Sequence, residues 1–229
     1  MNTTKNIQGS LLAWDQLETA PTSSGIYAWY YKPIFPKFDI DKIINELNGC
    51  ESDIQLEKLD KFLRKHMFDL FAEEPYEVTF KGPLKPTYEG KAESKLELNK
   101  EFLERLMKFP EKLYSLKTAI ENSFPSFHSP IYIGKSKNLR KRLLKHKELI
   151  DRYKSNSVST GTAEEGSDAR DQSFAKGVVG RGMNETRLYV AVYDFKTHVD
   201  EQKERGNTDE EIDVEYILNR INFPLFGRN

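Results

Sequence analysis

A single cysteine, Cys50, stands among 229 residues, so the chain can close no internal disulfide and carries no cysteine pair for zinc. Apolar residues nowhere continue for the roughly 20 positions that a bilayer-spanning helix needs. The start, Met1-Asn2-Thr3-Thr4-Lys5-Asn6, contains no apolar region of the signal-peptide kind. These absences lead to the expectation of a cytoplasmic protein without a membrane span. Net charge is nearly absent as well, at -1, which would argue against a nucleic-acid partner if charge were spread evenly. It is not: residues 131–154 hold nine Lys or Arg against two acidic residues, a local net of +7. Hydrophobic residues at 38% and aromatics at 12% are enough for one elaborated domain or two small ones with a real core.

Two short runs have strand character. Ser24-Gly25-Ile26-Tyr27-Ala28-Trp29-Tyr30-Tyr31 stops at Pro33, and Pro130-Ile131-Tyr132-Ile133-Gly134-Lys135 follows about a hundred residues later. Both are rich in β-branched and aromatic residues between breakers. Period two puts Tyr27, Trp29 and Tyr31 on one face of the first and Tyr132 with Gly134 on one face of the second. As antiparallel neighbours, the strands would bring Tyr27 and Tyr132 to one surface.

Lys135-Ser136-Lys137-Asn138 reads as a turn with Asn138 as N-cap, and Leu139 to Tyr153 as a helix. At about 100° per residue, Leu139, Leu143 and Ile150 form a narrow apolar stripe. His146 falls within it and Arg142 on its edge, whereas Arg140, Lys141, Lys145 and Lys147 lie outside. An inward Arg and His beside two strand tyrosines make a site, because a buried guanidinium needs an anionic partner.

This ordered set resembles the GIY-YIG nucleases. The resemblance rests on Gly25-Ile26-Tyr27, Tyr132-Ile133-Gly134, an Arg ten residues after the second tyrosine (Arg142), a His four later (His146), and Glu215 on a late helix with Pro224 nine residues on. It covers residues 24–32 and 130–229. Two features depart from the family: about a hundred residues separate the tripeptides where a short hairpin is usual, and Gly227 stands where an Asn is usual. Asn222 or Asn229 is then the substitute. Tyr88-Glu89-Gly90-Lys91 imitates the second tripeptide, but the residues at the Arg and His spacings are Leu98 and Phe102, which rules it out.

The resemblance implies an α+β fold, with a small central antiparallel sheet of the two motif strands plus a third, flanked by helices. It also implies hydrolysis of phosphodiester bonds in DNA with Mg²⁺ or Mn²⁺ held by Glu215. Arg142 would grip the scissile phosphate, Tyr27 would orient or deprotonate the water, neutral His146 would relay the proton and Tyr132 would support. An ordinary tyrosine has pKa about 10, so such a site must favour the phenolate. Lys135 is a further phosphate ligand, with Arg140, Lys176 and Arg181 as additional DNA contacts.

The core is expected at 1–32 and 129–229. Residues 33–128 form a mainly helical insertion for DNA recognition or partner binding, with helices near 39–48, 56–71 and 99–122 (broken at Pro110) and strands near 76–80 and 87–91. Residues 154–183 read as a flexible Gly/Ser loop whose glycines could approach phosphate. Thr186 to Phe195 is the third strand. Thr208-Asp209-Glu210-Glu211 opens the terminal helix as a capping box, whose stripe Val214, Ile217, Leu218 and Ile221 faces inward. The absence of zinc-binding cysteines and of a separate tail points to restriction or antiviral defence, with a homodimer and defence-system proteins as partners. A noncatalytic DNA-binding or assembly module of the same fold, and an RNA-cleaving nuclease, are the alternatives.

Overall fold

The computed structural model describes residues 10–49, 51–73, 75–82, 87–92, 97–155, 169–195 and 210–226. Cys50, His198, Gly227, Asn229 and the first half of the expected capping box lie outside these. The chain forms two compact units, Met1–Lys32 with Ser123–Asn229, and Pro33–Asn122. The second closes at Asn122 rather than at residue 128, because Phe124 packs edge-on against Tyr30 and Tyr189 of the first.

Along the chain the elements are β1 (Ser10–Ala13), β2 (Gly25–Tyr31), α1 (Lys37–Leu47), α2 (Ser52–Leu63), β3 (Tyr76–Lys81), β4 (Thr87–Ala92), α3 (Lys100–Lys108) and α4 (Lys112–Ser123). Then follow β5 (Tyr132–Ser136), α5 (Leu139–Ser155), α6 (Ala169–Gly180), β6 (Leu188–Asp194) and α7 (Glu210–Asn222). The fold is α+β, as expected. In the first unit a four-stranded antiparallel sheet runs β1-β6-β2-β5. The two motif strands are antiparallel neighbours, with Tyr27 opposite Gly134 and Trp29 opposite Tyr132. Strand β1 was not anticipated; Leu11-Leu12-Ala13 is too short to show alternation and is fixed by pairing with β6.

The inward face of β2 carries Tyr27, Trp29 and Tyr31, all buried. Helix α5 lies against it through Leu139, Leu143, His146 and Ile150, each fully buried, which is the stripe that helical spacing predicts. Its start is capped by Asn138, whose Oδ1 accepts from the Lys141 N–H at 3.0 Å.

Residues 169–180 form helix α6, not the expected loop. Glycine content misled: Phe174, Ala175 and Val178 are buried on one face, and this packing outweighs the low helix propensity of Gly177. Gly177 is there for space. A Cβ on it would lie 2.5 Å from Cε1 of Phe226, so the Phe226 ring occupies the position a side chain would take. Phe226 arrives by a reversal at Phe223, whose φ of 45° is unusual for a bulky residue, and its N–H then donates to the Ile131 carbonyl at 2.7 Å.

Helix α7 also differs from its expected facing. Ile217 is 53% and Ile221 68% exposed, whereas Glu215 is 8% exposed. The helix rests on β5 and β2 and turns its Glu215 side inward, with Leu218, Asn219 and Asn222 half-buried.

The second unit is mainly helical. Ile40, Ile43 and Leu47 of α1, Leu59, Phe62 and Leu63 of α2, and Leu103, Leu106 and Leu113 of α3 and α4 surround Phe35. The helices break between Lys108 and Lys112, around Pro110, which offers no N–H. Strands β3 and β4 pair with Phe80 opposite Tyr88, so Tyr88 belongs to a hairpin of this unit. Among the described residues no helix is long and apolar enough to cross a membrane.

Candidate active site

The register of β2 on β5 sets Tyr27 over Gly134, and its ring extends toward Tyr132, with ring centroids 6.1 Å apart. The two tyrosines therefore share a surface. From α5, one turn apart, Arg142 and His146 reach the same hydroxyl. His146 Nε2 lies 2.8 Å from Tyr27 Oη, and the Arg142 Nε–H donates to that oxygen at 3.2 Å. His146 is fully buried within an aromatic wall of Tyr27, Trp29, Tyr132 and Phe174, whose ring centroids are 5.1 to 6.2 Å from its own.

One participant escaped the sequence. Asp171, fully buried on the inward side of α6, has Oδ1 2.7 Å from Arg142 Nη2 and 3.5 Å from His146 Nε2. Its Oδ2 lies 3.7 Å from Lys145 Nζ. Lys145 was expected outside the stripe, but its long stem reaches back to this carboxylate. The signal that could have found Asp171 is the spacing Asp171, Phe174, Ala175, Val178, which is helical and ends in an acid.

Burial pushes the Tyr27 hydroxyl well above the ordinary 10.0; the neighbouring Tyr132 and, more weakly, Asp171 add to this, while the charge and hydrogen bond of Arg142 oppose it. Burial likewise raises Tyr132, against the pull of Arg142. In the metal-free site, burial outweighs the pull of Arg142 at both hydroxyls, so neither tyrosine is shifted toward the phenolate there.

Glu215 occupies a second position on this surface. Its Oε2 is 3.1 Å from Lys135 Nζ, and its charge acts on the Tyr132 hydroxyl. Lys135 follows Gly134 directly on β5, so carboxylate and ammonium flank the strand that holds Tyr132.

Comparison with family models, with curated proteins and with solved structures returned no match. The site is accordingly argued from its own geometry. Tyr27, Tyr132, Arg142 and His146 are brought together, and Glu215 with Lys135 lies beside Tyr132. Other expected contacts have local structural partners. The Arg140 Nε–H donates to the Ala20 carbonyl at 2.8 Å, which ties the turn before β2 to α5. The Arg181 guanidinium lies over the Phe226 ring at 5.6 Å. Lys176 is exposed on α6 with its ammonium over Tyr153 at 5.6 Å. Asn222 turns its amide to its own helix, Nδ2 donating to the Leu218 carbonyl at 2.9 Å.

Proposed function

We propose that the chain is a metal-dependent endonuclease of the GIY-YIG kind, hydrolysing phosphodiester bonds of DNA in restriction or antiviral defence. The observation that carries this reading is the convergence of His146 Nε2 and Arg142 Nε on the buried Tyr27 hydroxyl, at 2.8 and 3.2 Å. Hydrolysis needs a water made nucleophilic, donors for charge growing on phosphoryl oxygens, and help for the leaving oxygen.

Arg142 donates to Tyr27 Oη, which directs the phenolic proton toward His146 Nε2, the acceptor nitrogen of the neutral ring. As a water approaches the phosphorus it gives a proton to Tyr27 Oη while the phenol passes its own to His146. No free phenolate is needed, which accords with the raised pKa of Tyr27. The Arg142 side chain is 20% exposed, which lets its guanidinium reach a phosphate oxygen. Lys135 is the second phosphate ligand, with exposed Lys176 a more distant contact for the backbone.

No three His, Cys, Asp or Glu side chains converge among the described residues; the donor this reading assigns to the ion is the hard carboxylate of Glu215. That suits Mg²⁺ or Mn²⁺, since Mg²⁺ commonly takes one or two carboxylates and keeps waters, and it does not suit zinc. The ion would supply a positive charge for the leaving oxygen and the phosphate. Glu215 would hold it once Lys135 turns from the carboxylate to the phosphate.

The test is incubation of purified protein with supercoiled plasmid, phage DNA and RNA, with Mg²⁺ or chelator, beside Glu215→Gln and Tyr27→Phe. Metal-dependent cutting of DNA that both substitutions abolish is the expected result. Cutting of no substrate would leave the noncatalytic DNA-binding module, and cutting confined to RNA would change the substrate.

A further inference from the structure

We propose that Asp171 is the counter-ion of a Tyr27–His146 proton relay, a positioning residue that fixes Arg142 and stabilises the imidazolium formed when His146 takes the phenolic proton. The inference rests on the phosphodiester-cleaving reading above.

The argument begins with burial. A carboxylate removed from water is destabilised by several kcal/mol unless charges and donors compensate, and Asp171 is fully buried. Its compensation comes from successive positions of α5: Arg142 at 2.7 Å, His146 at 3.5 Å and Lys145 at 3.7 Å. A residue needed only to anchor α6 would gain as much from an apolar side chain, since Phe174, Ala175 and Val178 already bury that face. A carboxylate at this position has a different consequence.

His146 Nε2 faces two oxygens, Tyr27 Oη at 2.8 Å and Asp171 Oδ1 at 3.5 Å. When the phenolic proton moves to Nε2, it arrives on the nitrogen that the carboxylate already faces. The step balances: water loses a proton to Tyr27 Oη, Tyr27 loses its own to His146, and the new positive charge forms beside Asp171. Around the imidazole the other groups are Tyr27 and Trp29 from β2, Tyr132 from β5, Arg142 and Lys145 from α5 and Phe174 from α6. Against these aromatic groups and two cations, Asp171 sets a carboxylate 3.5 Å from Nε2.

Asp171 has a second effect through Arg142. Nη2 is paired with the carboxylate and Nε donates to the Tyr27 hydroxyl, two contacts that fix the plane of the guanidinium. The same residue therefore orients the phosphate clamp and the relay, which couples proton removal to phosphate binding.

The experiment compares wild type, Asp171→Asn, Arg142→Gln and the Arg142→Gln/Asp171→Asn pair in steady-state plasmid cleavage across pH. Asp171→Asn is expected to lower kcat about ten- to a hundredfold, no more than a positioned proton acceptor itself contributes, with a smaller change in KM. The acid limb of its kcat profile should move to lower pH, because the carboxylate no longer favours the protonated imidazole. Should Asp171→Asn not fold, the double variant leaves no buried charge alone and is compared with Arg142→Gln; a further fall in kcat with the same shift of the acid limb is expected. Identical profiles for those two, or an unmoved limb in Asp171→Asn, would overturn the proposal while leaving the nuclease reading in place. If wild type cuts nothing, that reading fails separately. The relay is then judged by the NMR titration of the His146 imidazole, assigned by its loss in His146→Asn, in the folded variants carrying Asp171→Asn: a midpoint at lower pH supports Asp171 as its counter-ion, and no change refutes it.

Discussion

Gly134 lies directly across the β2–β5 ladder from Tyr27, and a methyl group on it would stand 2.5 Å from the Tyr27 hydroxyl oxygen and 2.9 Å from Cε1 of Tyr132. The absent side chain of one motif is thus the space in which the tyrosine of the other sits. Gly134→Ala is expected to displace the Tyr27 ring and cost about 1–3 kcal/mol, the usual range for overpacking. Urea denaturation reads the stability and plasmid cleavage the activity. A variant as stable and as active as wild type would show that the ring can move aside freely.

Tyr27 also makes stability depend on pH in a stated direction. Its folded pKa is raised above the ordinary 10.0, so the folded state keeps a proton that the unfolded state loses. The contribution is complete below pH 10 and disappears as pH rises from the unfolded toward the folded value. Stability should fall there with an extra slope of about 1.4 kcal/mol per pH unit, one proton's worth. Tyr132 is raised as well, so the comparison is between wild type and Tyr27→Phe. The variant should lose this slope; equal slopes would contradict the assignment.

For Gly177 the outcome runs against helix propensity. Alanine in a helix interior normally gains about 1 kcal/mol over glycine, but here its Cβ would meet the Phe226 ring at 2.5 Å. Gly177→Ala should therefore lower the melting temperature, and Gly177→Ala with Phe226→Leu should recover part of the loss. A simple increase in stability from Gly177→Ala would mean that Phe226 does not hold that position in solution.

Glu215 and Lys135 form a partly exposed pair, with side chains 11% and 30% exposed. Removing the carboxylate charge by Glu215→Gln should change metal-free stability by no more than about 1 kcal/mol. The stabilisation that added Mg²⁺ or Mn²⁺ gives the wild type should vanish in the variant. Thermal unfolding with and without metal distinguishes the two, and retained stabilisation by metal in Glu215→Gln would remove Glu215 as the ligand.

Much of the site was legible because its residues repeat at periods that backbone geometry imposes. Tyr27 with Trp29, and Arg142 with His146, follow the two- and four-residue spacings of a strand and a helix, and the structure brings Arg142 and His146 to the Tyr27 hydroxyl. Asp171 was not legible, since glycines at 177 and 180 suggest a loop when no ring is seen to fill the space at Gly177. Helix α7 misled for a related reason. Its most apolar positions, Ile217 and Ile221, are exposed, and the inward position is held by a carboxylate facing the Lys135 ammonium. Hydrophobicity read alone centred the inward stripe too far toward Ile217 and Ile221, whereas Leu218 and Val214 of that stripe are half-buried.

The placement of Pro33–Asn122 between two adjacent strands bears on how the tyrosine surface comes to exist. Bringing together strands separated by about a hundred residues, rather than by a turn of a few, adds roughly 3 kcal/mol of chain-closure entropy. That penalty shrinks if the intervening chain is already folded, with Lys32 and Phe124 in contact at its neck. The stability of the inserted unit is thereby a term in the assembly of Tyr27 against Gly134, and a substitution in its core, such as Leu59→Ala, would weaken the tyrosine surface without touching it.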